Sequence, residues 1–454
     1  MAPSPTGELH IGGLRTALYD YALARQTSGR FILRIEDTDQ KREVAGAADR
    51  IQQVLKDYGL VYDEGPFFQS QRLDIYRQHL QPLIDQGLAY YCFCDANRLT
   101  ELRTLQKAQK KLPRYDRHCL NLSKEEITQK LANHEPYVVR LKVPDRETIV
   151  FDDLVRGRIK FSTSDVDDQV LLKSDGVPTY HFASVVDDHL MAITHVFRGE
   201  EWLPSVPKHL LLYRYLGWEP PKFAHLSLFL DPSHSGKMSK RFGSVSAQAF
   251  LDDGYLPQAM LNFLMLLGWN PGTPKEIYSL DEFIADFSIE KLNKKPAVFD
   301  RKKLDYLNGH YLRQQSDSQL LSLLQPFVPQ ITPPVVALIK ERLATLKEAV
   351  ALTNFFYEDV DYPADLLLQR GATKDLAIDM LTQTRQLLAD FSDLQNRLLG
   401  LIKKNNWTTG QYFMVLRVAI CGAAATPPIV ESLPILGQSR VLSRLSTALS
   451  KLQS

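Results

Sequence analysis

The chain has 454 residues, 44% of them hydrophobic, and a formal net charge of +1, which allows about three cored domains and excludes a uniformly basic nucleic-acid coat. No apolar run reaches the roughly 18 residues of a membrane span, and no signal peptide is recognised. Four cysteines in so long a chain make no disulfide framework, so the cytoplasm is the expected compartment.

The first informative stretch is A-P-S-P-T-G-E-L-H-I-G-G, Ala2 to Gly13. Prolines and a glycine predict a loop, and His10 stands just ahead of Gly12 and Gly13. After Gly13, Leu14, Leu18, Tyr21, Ala22 and Arg25 recur as one face of a helix. A loop feeding a helix N-terminus offers free N–H groups to a phosphate, and glycines admit a ligand close to the backbone. Taken alone, His-x-Gly-Gly is a weak signal, because such loops are often plain turns.

Phe31 to Asp37 reads as a buried strand ending in acids, with Glu36, Asp37 and Asp39 at the carboxyl end where α/β layers bind ligands. Helices are predicted over Val44 to Tyr58 and near Gln71 to Gln86. From about Ala96 to Val166 the character changes to two polar helices, Arg98 to Lys110 and Lys124 to Leu131. Short strands follow at Tyr137 to Val143, Ile149 to Asp152 and Ile159 to Phe161. An α+β module inserted into a parallel sheet is the simplest account. The α/β pattern resumes at Asp168 to Ser174, with a strand at Ile193 to Arg198, a helix at Pro204 to Leu216 and a strand-like Ala224 to Leu230. Beyond Gly243 the chain reads as almost entirely helical.

Gly236-Lys237-Met238-Ser239-Lys240-Arg241 carries three cations in five residues, a pattern able to neutralise charge on a departing pyrophosphate. A solvated basic turn explains such a run equally well.

Together the two stretches resemble the ATP-binding signatures of the class I aminoacyl-tRNA synthetases. R-I-E-D-T-D (Arg34 to Asp39), Y-D-E-G-P (Tyr62 to Pro66), P-T-Y-H (Pro178 to His181), V-V-D-D-H, V-F-R-G-E-E-W (Val196 to Trp202) and Asp252 to Trp269 narrow the likeness to the bacterial glutamyl-tRNA synthetases. The similarity runs the whole length in order. It implies an α/β Rossmann-like catalytic domain with an α+β insertion, followed by all-α stem-contact and anticodon-binding domains. The expected boundaries are 1–95 and 168–245 for the split catalytic domain, 96–167 for the acceptor-binding insertion, 246–312 for the stem-contact region and 313–454 for the anticodon-binding domain.

The resemblance also implies roles. His10 would donate to the triphosphate, Gly12 and Gly13 would give the nucleotide room, Met238 would flank the adenine, Ser239 would also bind ATP, and Lys240 with Lys237 would stabilise the leaving pyrophosphate. Arg198 would take the glutamate α-carboxylate as a bidentate fork. Glu36 and Ser4 would take the ammonium, and Tyr180 the side-chain carboxylate. The plainer alternatives are Tyr180 as core and Glu36 as a surface partner of Arg34. Asp187-Asp188 and Glu200-Glu201 read as strand-end acids. Trp202 would pack near the tRNA end, and Arg42 with Lys110 to Arg117 would touch acceptor phosphates.

The implied reaction is ligation of L-glutamate to the 3′ end of tRNA(Glu) through glutamyl-adenylate, with ATP and Mg²⁺ and no dedicated magnesium ligand. The implied state is a monomer that needs no membrane. Two departures stand out. The family places a short strand with an arginine before A-P-S-P-T-G, whereas this sequence opens at Met1; a misplaced start or a truncation is expected, and a genuine start implies a catalytically impaired tRNA-binding paralogue. The family's zinc pattern matches at Cys92, Cys94 and Cys119, but Asn121 stands where a histidine belongs, with His118 beside it. A cofactor nucleotidylyltransferase is a rival reading, opposed by the long helical tail.

Overall fold

The computed structural model describes residues 1–39, 41–111, 113–231, 245–388 and 390–453. Two compact units divide it: Met1–Phe250 with Met260–Asp300, and Leu251–Ala259 with Arg301–Ser454.

In the first unit, α1 (Ile11–Gln26) starts three residues earlier than the sequence predicts, so both glycines lie inside its first turn. Its buried face is Ile11, Leu14, Arg15, Ala17, Leu18, Tyr19 and Ala22, whereas Tyr21 and Arg25 stay partly exposed. The cause is that α1 is covered on a second side. Tyr19 stacks near Phe283 and Phe287 and donates to the Leu264 carbonyl, and the Arg15 guanidinium donates to the Ser227 carbonyl at 2.6 Å.

Strand β1 (Ile32–Ile35), rich in β-branched residues, pairs in parallel with β2 (Glu64–Phe68) across α2 (Ala47–Asp57). Residues Met1 to Pro3 also bond to β1: Met1 donates to the Ile32 carbonyl, and Arg34 and Glu36 N–H groups donate to the Met1 and Pro3 carbonyls. This segment takes a strand-like place at the sheet. After α3 (Leu73–Asp85), β3 (Ala89–Cys92) forms an antiparallel sheet with β4 (Val138–Leu141) and β7 (Val170–Leu172). That sheet runs across the positions expected as boundaries at 95/96 and 167/168. Helices α4 (Ala96–Ala108) and α5 (Lys124–Ala132) bury no residue, which agrees with their polar sequences. Strands β5 (Thr148–Asp153) and β6 (Gly157–Ser162) form a hairpin.

Helix α6 (Tyr180–Leu190) follows, then β8 (His195–Gly199), α7 (Val206–Leu216) and β9 (Lys222–Leu226), with β8 and β9 parallel. The core joins these elements: Tyr76, Leu80 and Leu83 from α3, Val139 and Leu141 from β4, Ile149 and Phe151 from β5, Phe182, Val185 and Val186 from α6, and Leu211 and Leu212 from α7 are all nearly inaccessible. The Leu154 N–H donates to the Phe223 carbonyl and fixes the β5–β6 turn against β9. Strand β10 (Phe229–Leu230) pairs in parallel with β11 (Ala297–Val298). Helices α8 (Ala247–Asp252), α9 (Pro257–Gly268) and α10 (Leu280–Asp286) complete this part of the chain.

In the second unit the described residues from Arg301 onward are helices and turns, from α11 (Arg301–Gln314) to α19 (Gln438–Gln453). Among the described residues no helix is long and apolar enough to cross a membrane.

Gly65 in β2 has φ of +107°, and a Cβ there would collide with the Leu33 carbonyl oxygen. Gly65→Ala is therefore expected to cost about 2–4 kcal/mol, read as a lowered urea midpoint with an unchanged slope.

Candidate active site

The loop before α1, the carboxyl ends of β1 and β8, and the N-terminus of α6 line one cavity of about 1390 Å³ in the first unit. His10 is the N-cap of α1. Its backbone is extended, and its Nδ1 accepts from the Gly12 N–H at 3.0 Å. The proton of a neutral His10 then sits on Nε2, so the ring is set as a donor. A Cβ at Gly12 would meet this ring at 3.3 Å, and one at Gly13 would come within 2.8 Å of Leu9. The glycines thus make room for His10 and Leu9, which shape the loop, and both glycines line the cavity.

Behind the loop lies a buried ionic cluster. Arg34 donates through Nη1 to Asp188 at 2.8 Å and through Nη2 to Glu36 at 3.2 Å, and its Nε lies 3.8 Å from Asp187. Asp187, wholly inaccessible, also accepts from Arg72, Gln69 and Tyr76 at 2.8, 3.0 and 2.8 Å. Asp187 and Asp188 sit in α6 and not at a strand end, and the Arg34–Glu36 pair is internal and not a surface pair. Two guanidinium groups face three carboxylates here, so with Glu36 ionised the cluster holds an excess of one negative charge. Burial raises the Glu36 carboxyl to about 7, against the opposing pull of Arg34.

On the other side, Arg198 at the end of β8 donates through Nε to His225 at 3.1 Å and through Nη1 to the Tyr180 hydroxyl at 3.2 Å. Its Nη2 is buried with no hydrogen-bond partner. A fork through Nε is closed off by His225. Tyr180, the first residue of α6, stacks near Trp202 at 4.7 Å, and burial pushes its hydroxyl up to about 12. Glu36, Arg198, Tyr180, Trp202, His10, Ser4 and Arg42 all line this cavity. Ser4 is exposed, and Arg42 is exposed and paired with Asp39 at 2.6 Å. Lys237, Met238, Ser239 and Lys240 lie outside the described residues.

The basic stretch Lys110 to Arg117 is partly spent on acids. Arg114 pairs with Asp165 and Arg117 with Asp145 and Asp168. Glu200, at the strand end as expected, pairs with Arg156. Sequence reasoning did not single out His209, whose ring lies 5.8 Å from Tyr180, or His225 and Asp153 behind Arg198. Neither buried histidine belongs to a motif, so only the fold marks them.

Cys92, Cys94 and Cys119 converge with their sulfurs within 4.8 Å of one another. His118 and Asn121 are both exposed, and the His118 ring does not join the group. The oxygen at the cluster is the Tyr115 hydroxyl, 3.3 Å from the Cys94 sulfur.

Residues 1–306 match the family model described as tRNA synthetases class I (E and Q), catalytic domain, and residues 314–449 match an anticodon binding domain. The chain is 42% identical to a glutamate–tRNA ligase of Prosthecochloris aestuarii over 99% of its own length and 97% of that relative. It is 40% identical to the one of Borreliella burgdorferi, covering 98% and 97%. A crystal structure of a glutamate tRNA ligase from Elizabethkingia meningosepticum in complex with its amino acid superposes with a TM-score of 0.87 at 34% identity, covering 99% of this chain and 98% of that one.

Arg34→Met leaves the buried Glu36 and the half-buried Asp188 without their cation. It is expected to destabilise the protein by about 3–5 kcal/mol, measured by chemical denaturation at pH 7.5.

Proposed function

The chain belongs to the class I tRNA synthetases for glutamate and glutamine, and from that premise we propose that it is a glutamate–tRNA ligase. It joins L-glutamate to the 3′ end of tRNA(Glu) through glutamyl-adenylate and releases AMP and pyrophosphate. The observation that carries the assignment is the pairing, in one cavity, of a buried guanidinium with an unpartnered Nη2 and a buried cluster holding one excess negative charge. A zwitterionic amino acid satisfies both, its carboxylate at the guanidinium and its ammonium at the cluster, and the relatives single out glutamate.

Arg198 takes a carboxylate through its Nη edge, and the Tyr180 hydroxyl, held by Nη1, adds a second polar contact. Glu36, helped by Ser4, takes the ammonium. The α-carboxylate attacks the α-phosphorus in line, and the ribose hydroxyl of the terminal tRNA adenosine then attacks the activated carbonyl. Positioning and charge neutralisation carry both steps. His10, with its proton on Nε2, donates to the triphosphate at the α1 N-terminus. Lys237 and Lys240 neutralise the departing pyrophosphate, Met238 flanks the adenine, and Ser239 also binds ATP. Magnesium accompanying ATP supplies further charge neutralisation. Trp202 and Arg42 meet the tRNA end, residues 246–312 its stem, and residues 313–454 its anticodon arm.

Glutamate-dependent ATP–pyrophosphate exchange, run with and without tRNA(Glu), tests the assignment; no exchange in either condition refutes it. Glu36 binds the ammonium only when ionised, so the glutamate KM is expected to rise about tenfold from pH 8 to pH 6 as the carboxyl near pH 7 gains a proton. In Glu36→Gln the KM should be high at both pH values.

The three thiols fit a structural zinc ion, with Tyr115 as the near oxygen donor. Zinc released on thiol titration should approach one ion per chain, fall to a small fraction in Cys119→Ser, and be retained in Asn121→Ala.

A further inference from the structure

Behind Arg198, on the side away from the cavity, stands a buried pair. The His225 Nδ1–H meets Asp153 Oδ2 at 2.5 Å, and both side chains are wholly inaccessible. His225 lies on β9, whereas Asp153 ends β5 in the α+β stretch. Neither lines the cavity. The second oxygen of Asp153, Oδ1, accepts from the Val155, Arg156 and His225 N–H groups at 3.0, 2.8 and 3.3 Å. The carboxylate is thereby locked in both place and rotation. Arg156 reinforces the arrangement by donating to the His225 carbonyl at 3.2 Å and pairing with Glu200 at 2.8 Å.

The orientation of each proton follows. An ionised carboxylate at Nδ1 places the His225 proton there and leaves the Nε2 lone pair toward Arg198, whose Nε–H donates to it at 3.1 Å. Burial lowers the His225 pKa, which keeps the ring neutral. A protonated or inverted ring would set N–H against N–H and push the guanidinium away.

We infer that Asp153 and His225 are positioning residues for glutamate recognition: through the tautomer of His225 they hold Arg198 with its Nη edge toward the cavity. A residue of the inserted stretch thus sets the geometry of the amino-acid site. The inference rests on the reading of Arg198 as the carboxylate-binding group.

Asp153→Asn is the discriminating change. The amide oxygen stays with the three backbone N–H groups, so the amide NH₂ faces Nδ1, moves the ring proton to Nε2 and opposes the Arg198 Nε–H. In glutamate-dependent exchange with tRNA(Glu) present, D153N is expected to raise the glutamate KM about tenfold while the ATP KM stays within about twofold. His225→Leu should act like D153N. His225→Gln, whose side-chain oxygen can accept from Arg198 and whose NH₂ can donate to Asp153, should restore a glutamate KM within about threefold of wild type. This rescue pair carries the test if D153N does not fold. A glutamate KM within twofold of wild type in folded D153N, or equal glutamate KM values in H225L and H225Q, overturns the inference alone. Wild-type exchange that does not depend on glutamate overturns it together with the proposed function.

Discussion

The Arg34 cluster is the constraint on which the site depends. A guanidinium on β1 is buried against two carboxylates of α6 and one at its own strand end, while Asp187 is shared with Arg72, Gln69 and Tyr76 around α3. Removing the Arg34 guanidinium would leave carboxylates in low dielectric without their cation, so the strand and the two helices are held in one arrangement. That arrangement places Glu36 at the cavity wall and the first residue of α6, Tyr180, across from Arg198.

The cluster also shows why a binding site is costly to stability. Burial, with Asp188 and Asp187 adding to it against the pull of Arg34, leaves Glu36 easier to protonate than a free carboxyl. The folded state therefore binds its proton more tightly than the unfolded chain does. This acid makes the fold less stable as pH rises from about 4.5 toward 7, the range in which the group becomes charged and able to hold an ammonium. Arg198 shows the complementary case, since its Nη2 gives up hydrogen bonding inside the protein and keeps it for a ligand.

Short-range features were legible where composition and period carried them. The polar helices α4 and α5, the β5–β6 hairpin and the helical tail follow from pattern alone. Strand β2 was not, because its Gly65-Pro66 reads as a turn while the fold uses it as a strand against Leu33. The face of α1 was read too narrowly, since periodicity marks one buried side and cannot foresee that Tyr19 and Arg15 are covered by residues more than 200 positions away.

By itself the sequence determined the chemistry on offer. It held a histidine at a helix start, acids at a strand end, an arginine closing another strand, three cysteines in a spaced group, and motifs that identified the family. Only tertiary structure decided what those groups do to one another. It showed Glu36 and Arg34 buried together, Asp187 and Asp188 on a helix as their counter-charges, Tyr115 at the thiols in place of Asn121, and Arg198 held by a histidine and an aspartate from distant strands. Burial and long-range hydrogen bonds arise from which segments pack together, and a one-dimensional pattern records the partners without recording their meeting.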